Sequence, residues 1–537
     1  LTVRFAVRIK KGLTQRWIHA QSNRRWQHLS TEIAKIAKED AGSAPVIFFN
    51  ASTRLQAMSQ NAAYSFLTNQ VLRRQGIPTI QFVCQAGMDH CVLGTHRDAL
   101  HQAPPCQRCV AQSRAVFAGM PVQGFHKHEN PSLKKLVAKL SLEALSTLVY
   151  QGIPLGFWAE NSARWVLRRH HLVDDAVTCA LLRSYLLSAW NIYQEFDHLC
   201  ERTSPRAVVV FNGMFFPEAA VRQVCLNRGI KVITHEVGMQ PFTGFFTPGE
   251  ATAYPIKIDE NFVLTSEMDQ RLDAYLSQRF QGNFSMAGIR FWPQMKGLDQ
   301  DFLEKAAHFK QIVPVFTNVI FDTSQVHANT LFPDMFTWLS EIRAFIERNP
   351  DTLFVIRAHP DEHRPNKESR ESVRDWVKNS GIDQLSNVIF VDSREFISSY
   401  DLIQRSHFVM VYNSTIGLEA ALLGKVVLAA GKARFTQLAT AYLPASVEAY
   451  DQKLAELLKN ETNEPPSEFQ INARRFLYYQ LYRSSLPFGD WIQEDGVWPG
   501  YVMLRDVHAD AFDPQQSITA QVLIAGILND APFEMPL

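Results

Sequence analysis

Residues 353–365 read LFVIRAHPDEHRP, and residues 409–431 read VMVYNSTIGLEAALLGKVVLAAG. Each opens as an apolar run of strand length and then turns abruptly polar. A run without in/out alternation reads as a parallel strand covered on both faces. Its polar tip then lies at the carboxyl end, where ligands gather in open α/β sheets. In the first stretch the period of two puts Arg357 and His359 on one face, and Pro360 ends the strand because it has no N–H for the ladder. Both side chains can reach one anion, Arg357 as a two-pronged donor and His359 as a group that neutralises or protonates a departing phosphate. In the second stretch Asn413, Ser414 or Thr415 is expected to cap a helix beginning at Thr415 or Ile416, whose first-turn N–H groups make an anion site. Gly417 is expected to admit a ligand close to the backbone, and Glu419 to accept hydrogen bonds from ribose hydroxyls. Taken alone, the second stretch also fits a plain helix cap with an outward Glu.

Working outward, QIVPVFTNVIFD (311–322), MFTWLSEIRAFIERN (335–349) and NVIFVDS (387–393) complete a strand–helix–strand alternation around these two tips. A similar opening stands near the start: APVIFFNAS (44–52), a helical NAAYSFLTNQVLRRQG (61–76) and IPTIQFVCQAG (77–87). Farther on, AVVVFNG (207–213) ends at Asn212-Gly213, and KVITHEVG (231–238) ends at His235-Glu236. Alternating strands and helices imply parallel sheets with crossover helices. The fold class is therefore α/β, with two Rossmann-like doubly wound domains. Domain one is expected over 1–255 with a helical insertion at about 131–201, an interdomain connection over 256–310, domain two over 311–445, and a C-terminal helical extension over 446–537 packing across both. The strand pattern weakens from Phe242 to Gln311.

Bulk properties bound the function. The 537 residues exceed one ordinary core, and 46% hydrophobic with 20% charged residues is globular usage. Lys and Arg number 54 against 53 acidic residues, a formal charge of +1, so no global field gathers nucleic acid. The segment before Glu32 carries bases and no acids. It reads first as a solvated basic face, with a membrane-surface segment as the alternative. A cytoplasmic protein, either free or peripheral at the inner membrane, is expected. Within CQAGMDHCVLGTHRDALHQAPPCQRC (84–109) stand Cys84, Cys91, Cys106 and Cys109. Four thiolates in one loop-rich stretch fit a structural zinc, ordinary reduced thiols or an iron–sulfur cluster, and these readings stay open.

The stretches FTNVIFD (316–322), IRAHPDE (356–362), NSTIGLEAALLGK (413–425), VVFNG (209–213) and THEVG (234–238) together resemble the bacterial capsule polysaccharide biosynthesis proteins, glycosyltransferases of the twin-Rossmann GT-B type related to Kdo- and sialyltransferases. The resemblance runs from about residue 45 to 435. It implies phosphate roles for His359, Ser414 and Thr415, beside which the donor phosphate and nucleotide site is expected to take in Arg357, Asn413, Gly417, Glu419, Thr317 and Asn318. It also implies a base at Glu236, with Asn212, Gly213 and His235 on the acceptor side. Where those enzymes often carry two adjacent acids before the Gly, this chain reads HEVG. The implied activity is transfer of a sugar from a CMP- or UDP-linked donor to a hydroxyl of a glycan or glycolipid, inverting, with no cofactor required for catalysis. Its partners would include an inner-membrane face or a capsule assembly complex, and no nucleic acid. Three alternatives share the scaffold: a sugar-nucleotide 2-epimerase, a polyol-phosphate transferase, and a silent nucleotide-binding assembly protein.

Overall fold

The computed structural model describes residues 2–38, 42–53, 55, 57–281, 295–364 and 367–537. In the N-terminal domain the strands are β1 (Val46–Asn50), β2 (Met58–Ser59), β3 (Thr79–Cys84), β4 (Val122–Phe125), β5 (Ala207–Phe211), β6 (Lys231–Val237) and β7 (Thr243–Thr247). The C-terminal domain contributes β8 (Gln311–Phe316), β9 (Thr352–Arg357), β10 (Val388–Val391), β11 (Val409–Val411) and β12 (Val427–Ala429). The tail adds β13 (Leu486–Pro487), β14 (Ile492–Glu494) and β15 (Tyr501–Leu504).

The C-terminal sheet runs β10-β9-β8-β11-β12, and every pairing in it is parallel. The parallel part of the N-terminal sheet runs β4-β3-β1-β5-β6. Counted within each domain, both orders are third, second, first, fourth, fifth. The chain therefore reverses direction between the first and fourth strands of each sheet, which is where such folds open a crevice at the strand tips. In β9 all six residues are buried, as expected for a strand with helices on both faces. The covering helix Met335–Arg348 starts where the Asp334 carboxylate accepts the N–H groups of Phe336 (2.7 Å) and Thr337 (3.0 Å). Its Trp338 is fully buried and donates to the Tyr450 hydroxyl at 2.8 Å.

The region expected to be helical holds the helices Pro131–Val137, Leu142–Ser146, Leu155–Leu167 and the long Ala176–Thr203, with a single β-bridge between Tyr150 and Ile153. Two other segments differ from expectation. The first is β7, which lies where the strand pattern weakens: Thr243–Thr247 is buried and pairs antiparallel with β6, but its second residue, Gly244, packs against aromatic rings and breaks the apolar run. The second is the tail, which is not wholly helical. The helices Val447–Lys459 and Ser467–Tyr478 pack on the C-terminal domain. The chain then crosses back, β13 extends the first sheet beside β7, and β14 and β15 form a small sheet with β2. Such short strands carry too few residues to show a period; they exist because a partner edge is already in place. The helices Ser266–Phe280 and Gln300–Ala306 of the expected connection lend Leu272, Leu276 and Phe302 to the C-terminal core, and residues 282–294 of that connection lie outside the described residues.

A polar latch also joins the domains. His171 Nδ1 meets Glu371 Oε1 at 2.5 Å and its Nε2 stands 3.7 Å from Asp334, while Glu371 Oε2 accepts the N–H groups of His170 and His171 at 3.0 Å each. These hydrogen-bonded carboxylates, Asp334 and then Glu371, push the imidazole up to about 10, and neighbouring His170 is pushed down to about 4 by burial. An unfolded histidine titrates near 6.5, so the latch contributes fully below that pH and its contribution fades as pH rises toward 10. Both carboxylates are lowered in the folded state, so a second loss sets in as pH falls below their ordinary range. We expect His171→Gln to lower the melting temperature most near pH 6 and little above pH 10, as read by thermal denaturation across that range.

Candidate functional site

The tips of β8, β9 and β11 converge on one cavity of about 290 Å³ in the C-terminal domain. Arg357, His359, Ser414, Thr415, Thr317 and Glu419 all line it. Arg357 is only 4% exposed, and burial pushes its guanidinium down to about 10, with Glu395 opposing, so it is still charged at neutral pH. Thr317 donates its hydroxyl to the Arg357 carbonyl at 2.9 Å, tying the first strand tip to the second. His359 accepts the Asp361 N–H at Nδ1 (3.1 Å), which leaves the neutral ring's proton on Nε2. Burial lowers its pKa, with Asp361 and Asp322 opposing and Arg357 reinforcing. The ring is thus a neutral donor next to a cation, a pair suited to phosphate oxygens.

The helix after β11 spans Ile416–Leu422, and the Thr415 side chain makes no capping hydrogen bond. Asn413 accepts from Asn318 Nδ2 at 2.7 Å, so these two brace the β8 and β11 loops against each other rather than lining the cavity. Gly417 faces the core, not the cleft: a Cβ there would stand 2.7 Å from the Phe435 ring and 3.1 Å from Val411. The missing side chain serves helix-on-aromatic packing, which corrects the reading of Gly417 as a point of ligand approach. Glu419 does reach the cavity, but its Oε1 is paired to Arg279 (2.5 Å) and its Oε2 accepts from the Tyr400 hydroxyl (2.5 Å). Arg279 and Tyr400 gave no sequence signal. They come from the helix Ser266–Phe280 and the short helix Ser399–Arg405, and only packing unites them with Glu419.

Across the interface, Glu236 ends β6. Its Oε1 accepts Asn212 Nδ2 at 2.8 Å, and its Oε2 accepts Asn61 Nδ2 (3.2 Å) and the Val237 N–H (3.1 Å). Asn212 holds this aim in a left-handed conformation, φ 59°, followed by Gly213 at φ 84°; its Oδ1 takes the Met214 N–H at 2.9 Å. Burial raises the Glu236 pKa, the three hydrogen bonds pull it back, and Asp322 adds to the rise. His235 takes no part in that tuning. It sits 1% exposed, stacked on Phe246, pushed down to about 3 by burial and therefore uncharged. Asp322 lies in the loop after β8, where neighbouring Thr323 stands 3.5 Å from Asn212 Nδ2, and it acts on both Glu236 and His359. The two candidate groups from opposite domains thus share one charged neighbour.

A second cavity of about 300 Å³ opens on the N-terminal domain, lined by Asn61, Phe211, Phe215, Glu218 and His235, with Arg364 and Lys367 reaching in from the other domain. Of these seven, the sequence singled out only His235. Glu218 is raised to about 8 by burial, and Lys367 is lowered to about 8 by burial, then by Arg364 and Arg168. The four clustered cysteines line a third cavity, but no three of their sulfurs approach within 4.8 Å, so the compact cage a tetrahedral zinc needs is not formed. Among the described residues, the grouping that does meet this spacing is His170, His171 and Asp334, which could hold a metal and here forms the latch. No helix among the described residues is long and apolar enough to cross a membrane.

Twin doubly wound sheets with their strand tips on a common cleft define a GT-B-type α/β protein. Residues 290–442, which hold Arg357, His359, Ser414 and Thr415, match the family model described as capsule polysaccharide biosynthesis protein. Over 259 residues the chain is 27% identical to Protein FixF of Sinorhizobium fredii (strain NBRC 101917 / NGR234), a match covering 48% of this chain and 54% of that one. The match thus spans about half the length of that curated relative. Among solved structures it is similar to Thermosulfurimonas dismutans KpsC, beta Kdo 2,4 transferase, with 13% identity, a TM-score of 0.34, and coverage of 56% of this chain and 84% of that one. It is also similar to UDP-GlcNAc 2-epimerase from Neisseria meningitidis bound to UDP-GlcNAc, with 12% identity, a TM-score of 0.22, and coverage of 81% and 98%. At those scores the chemistry rests on the site itself.

The packing at Gly417 is directly testable. Gly417→Ala should cost roughly 1–3 kcal/mol, the usual penalty for overpacking a filled core, read as a lower midpoint in urea denaturation.

Proposed function

We propose that the protein is a nucleotide-sugar-utilising enzyme and, more finely, a glycosyltransferase that moves a sugar from its nucleotide to an acceptor hydroxyl. The observation that carries this reading is the placement of Arg357 and His359 in one domain's cavity and Glu236 in the other domain, where its partner Asn212 stands 3.5 Å from Thr323 of the first. Arg357 and the His359 Nε2–H bind the donor phosphate and stabilise the charge that grows on it as the sugar leaves. Glu236, aimed by Asn212 and Asn61, takes the proton from the attacking hydroxyl. The sugar C–O bond to the nucleotide breaks, a new C–O bond forms to the acceptor, and the proton ends on Glu236. A second cavity of about 300 Å³, separate from the one of about 290 Å³ at the strand tips, leaves room for an acceptor as well as a donor. Arg364 and Lys367 in that second cavity suit an acceptor with an anionic group.

The donor panel that tests this holds CMP-, UDP-, GDP- and CDP-linked sugars, each offered with and without glycan acceptors. Release of nucleotide together with a glycosylated product supports transfer; conversion of the free nucleotide sugar to its epimer without acceptor would replace it with the epimerase reading. His359→Ala should lower turnover by about 10²-fold or more, and Glu236→Gln by a similar factor. Because the Asn212 hydrogen bond favours the charged carboxylate, Asn212→Ala should move the acidic limb of the kcat/KM profile to higher pH. An unmoved limb would take Glu236 out of the base role.

A further inference from the structure

The cysteine cavity has a construction the transfer reading does not use. Cys84 ends β3, Cys91 sits in the following loop, and Cys106 and Cys109 are one turn apart at the start of the helix Cys106–Val116. All four line one cavity of about 240 Å³, walled by Met88, Leu93, Pro104 and Val110. The Gly87 N–H points at Cys84 Sγ (3.4 Å) and the Gly94 N–H at Cys91 Sγ (3.2 Å), while the hydroxyls of Ser52 and Thr53 stand 3.7 Å from Cys109 Sγ. Gly94 permits this approach, since a Cβ there would lie 2.8 Å from Cys91 Sγ and 2.9 Å from Pro104. The histidines of the loop turn elsewhere: His90 Nδ1 pairs with Ser184 and His96 Nδ1 with the Asp98 N–H. The lining is thus all-thiol, with none of the four in a disulfide.

Two observations decide what such a lining would hold. A tetrahedral zinc with Zn–S of about 2.3 Å draws its sulfurs to about 3.8 Å from one another, whereas no three sulfurs here lie within 4.8 Å. The cavity is also several times the roughly 30 Å³ share of one water. Four thiols spread around a larger, apolar-walled space, each of three receiving backbone or hydroxyl hydrogen-bonding groups, match a polynuclear centre, in which irons and bridging sulfides stand between the ligands. We propose that Cys84, Cys91, Cys106 and Cys109 ligate a [4Fe–4S] cluster in this cavity. The cavity shares Ala51, Ser52, Cys91 and Leu93 with the N-terminal-domain cavity, so the cluster holds the common wall in place. Ligation exchanges the thiol protons for iron, and no electron-transfer step is implied.

The test is anaerobic reconstitution of the full chain with equal amounts of ferrous and ferric iron and with sulfide, followed by removal of unbound metal. Iron and acid-labile sulfide should each approach about four per chain, with the broad visible absorption of a thiolate-bound cluster. The Cys106→Ala/Cys109→Ala variant should retain less than a tenth of both while keeping its far-ultraviolet circular dichroism. Wild-type chain that retains neither iron nor sulfide overturns the proposal, whatever the variant does. So does one equivalent of zinc bound without sulfide, or a variant that keeps the wild-type iron content.

Discussion

A parallel strand covered on both faces can show polar chemistry only at its tip, and the architecture follows from that restriction. β9 is buried along its whole length, so Arg357 leaves the sheet as a guanidinium already stripped of most of its water. A charge in that position is costly unless a counter-ion arrives, and Arg357 lines the cavity at the strand tips. β6 imposes the same condition with the opposite sign: Glu236 is raised by burial and kept usable by three hydrogen bonds. The fold sets a desolvated cation and a desolvated carboxylate on facing domains before any ligand enters. Electrostatic preorganisation of this kind is what lets a site stabilise charge without rearranging its own dipoles.

The cleft keeps its shape because the chain ties the two sheets together more than once. The tail leaves the C-terminal core through the helix Ser467–Tyr478, turns through the π-helical segment Tyr479–Arg483, and inserts β13 beside β7. Phe488, Trp491 and Phe512 then sit in the N-terminal core. The His171 latch joins Asp334, which is at the same time the N-cap of the helix Met335–Arg348. Apolar burial in one tie and hydrogen-bonded charges in the other respond differently to pH and salt, so the two ties are separable in experiment.

The same residue types do different work according to what packs around them. Two adjacent histidines, His170 and His171, are driven in opposite directions, one by burial and one by carboxylates. Two buried carboxylates, Glu236 and Glu419, differ in partners: amides and a backbone N–H for the first, Arg279 and a tyrosine hydroxyl for the second. Glu236 thus keeps only neutral hydrogen-bond partners, while Glu419 is consumed in an ion pair and a hydroxyl bond at the C-terminal-domain cavity.

Periodicity and punctuation were enough to read the twin α/β sheets, the helical stretch at 131–203 and the convergence of Arg357, His359 and Ser414, because a fully buried strand must be apolar until its tip and polar after it. The sequence alone also marked Asn212 and Glu236, which stand at strand ends for the same reason. It could not show β7 or β13, since strands of two to five residues with a Gly or Pro have no period of their own and form against an existing edge. Nor could it pair Glu419 with Arg279, bring Lys367 to the second cavity, or turn Gly417 toward Phe435, because each depends on segments distant in the chain meeting in space. Local pattern records what a backbone segment must do to be buried; only tertiary packing decides which side chains then become neighbours.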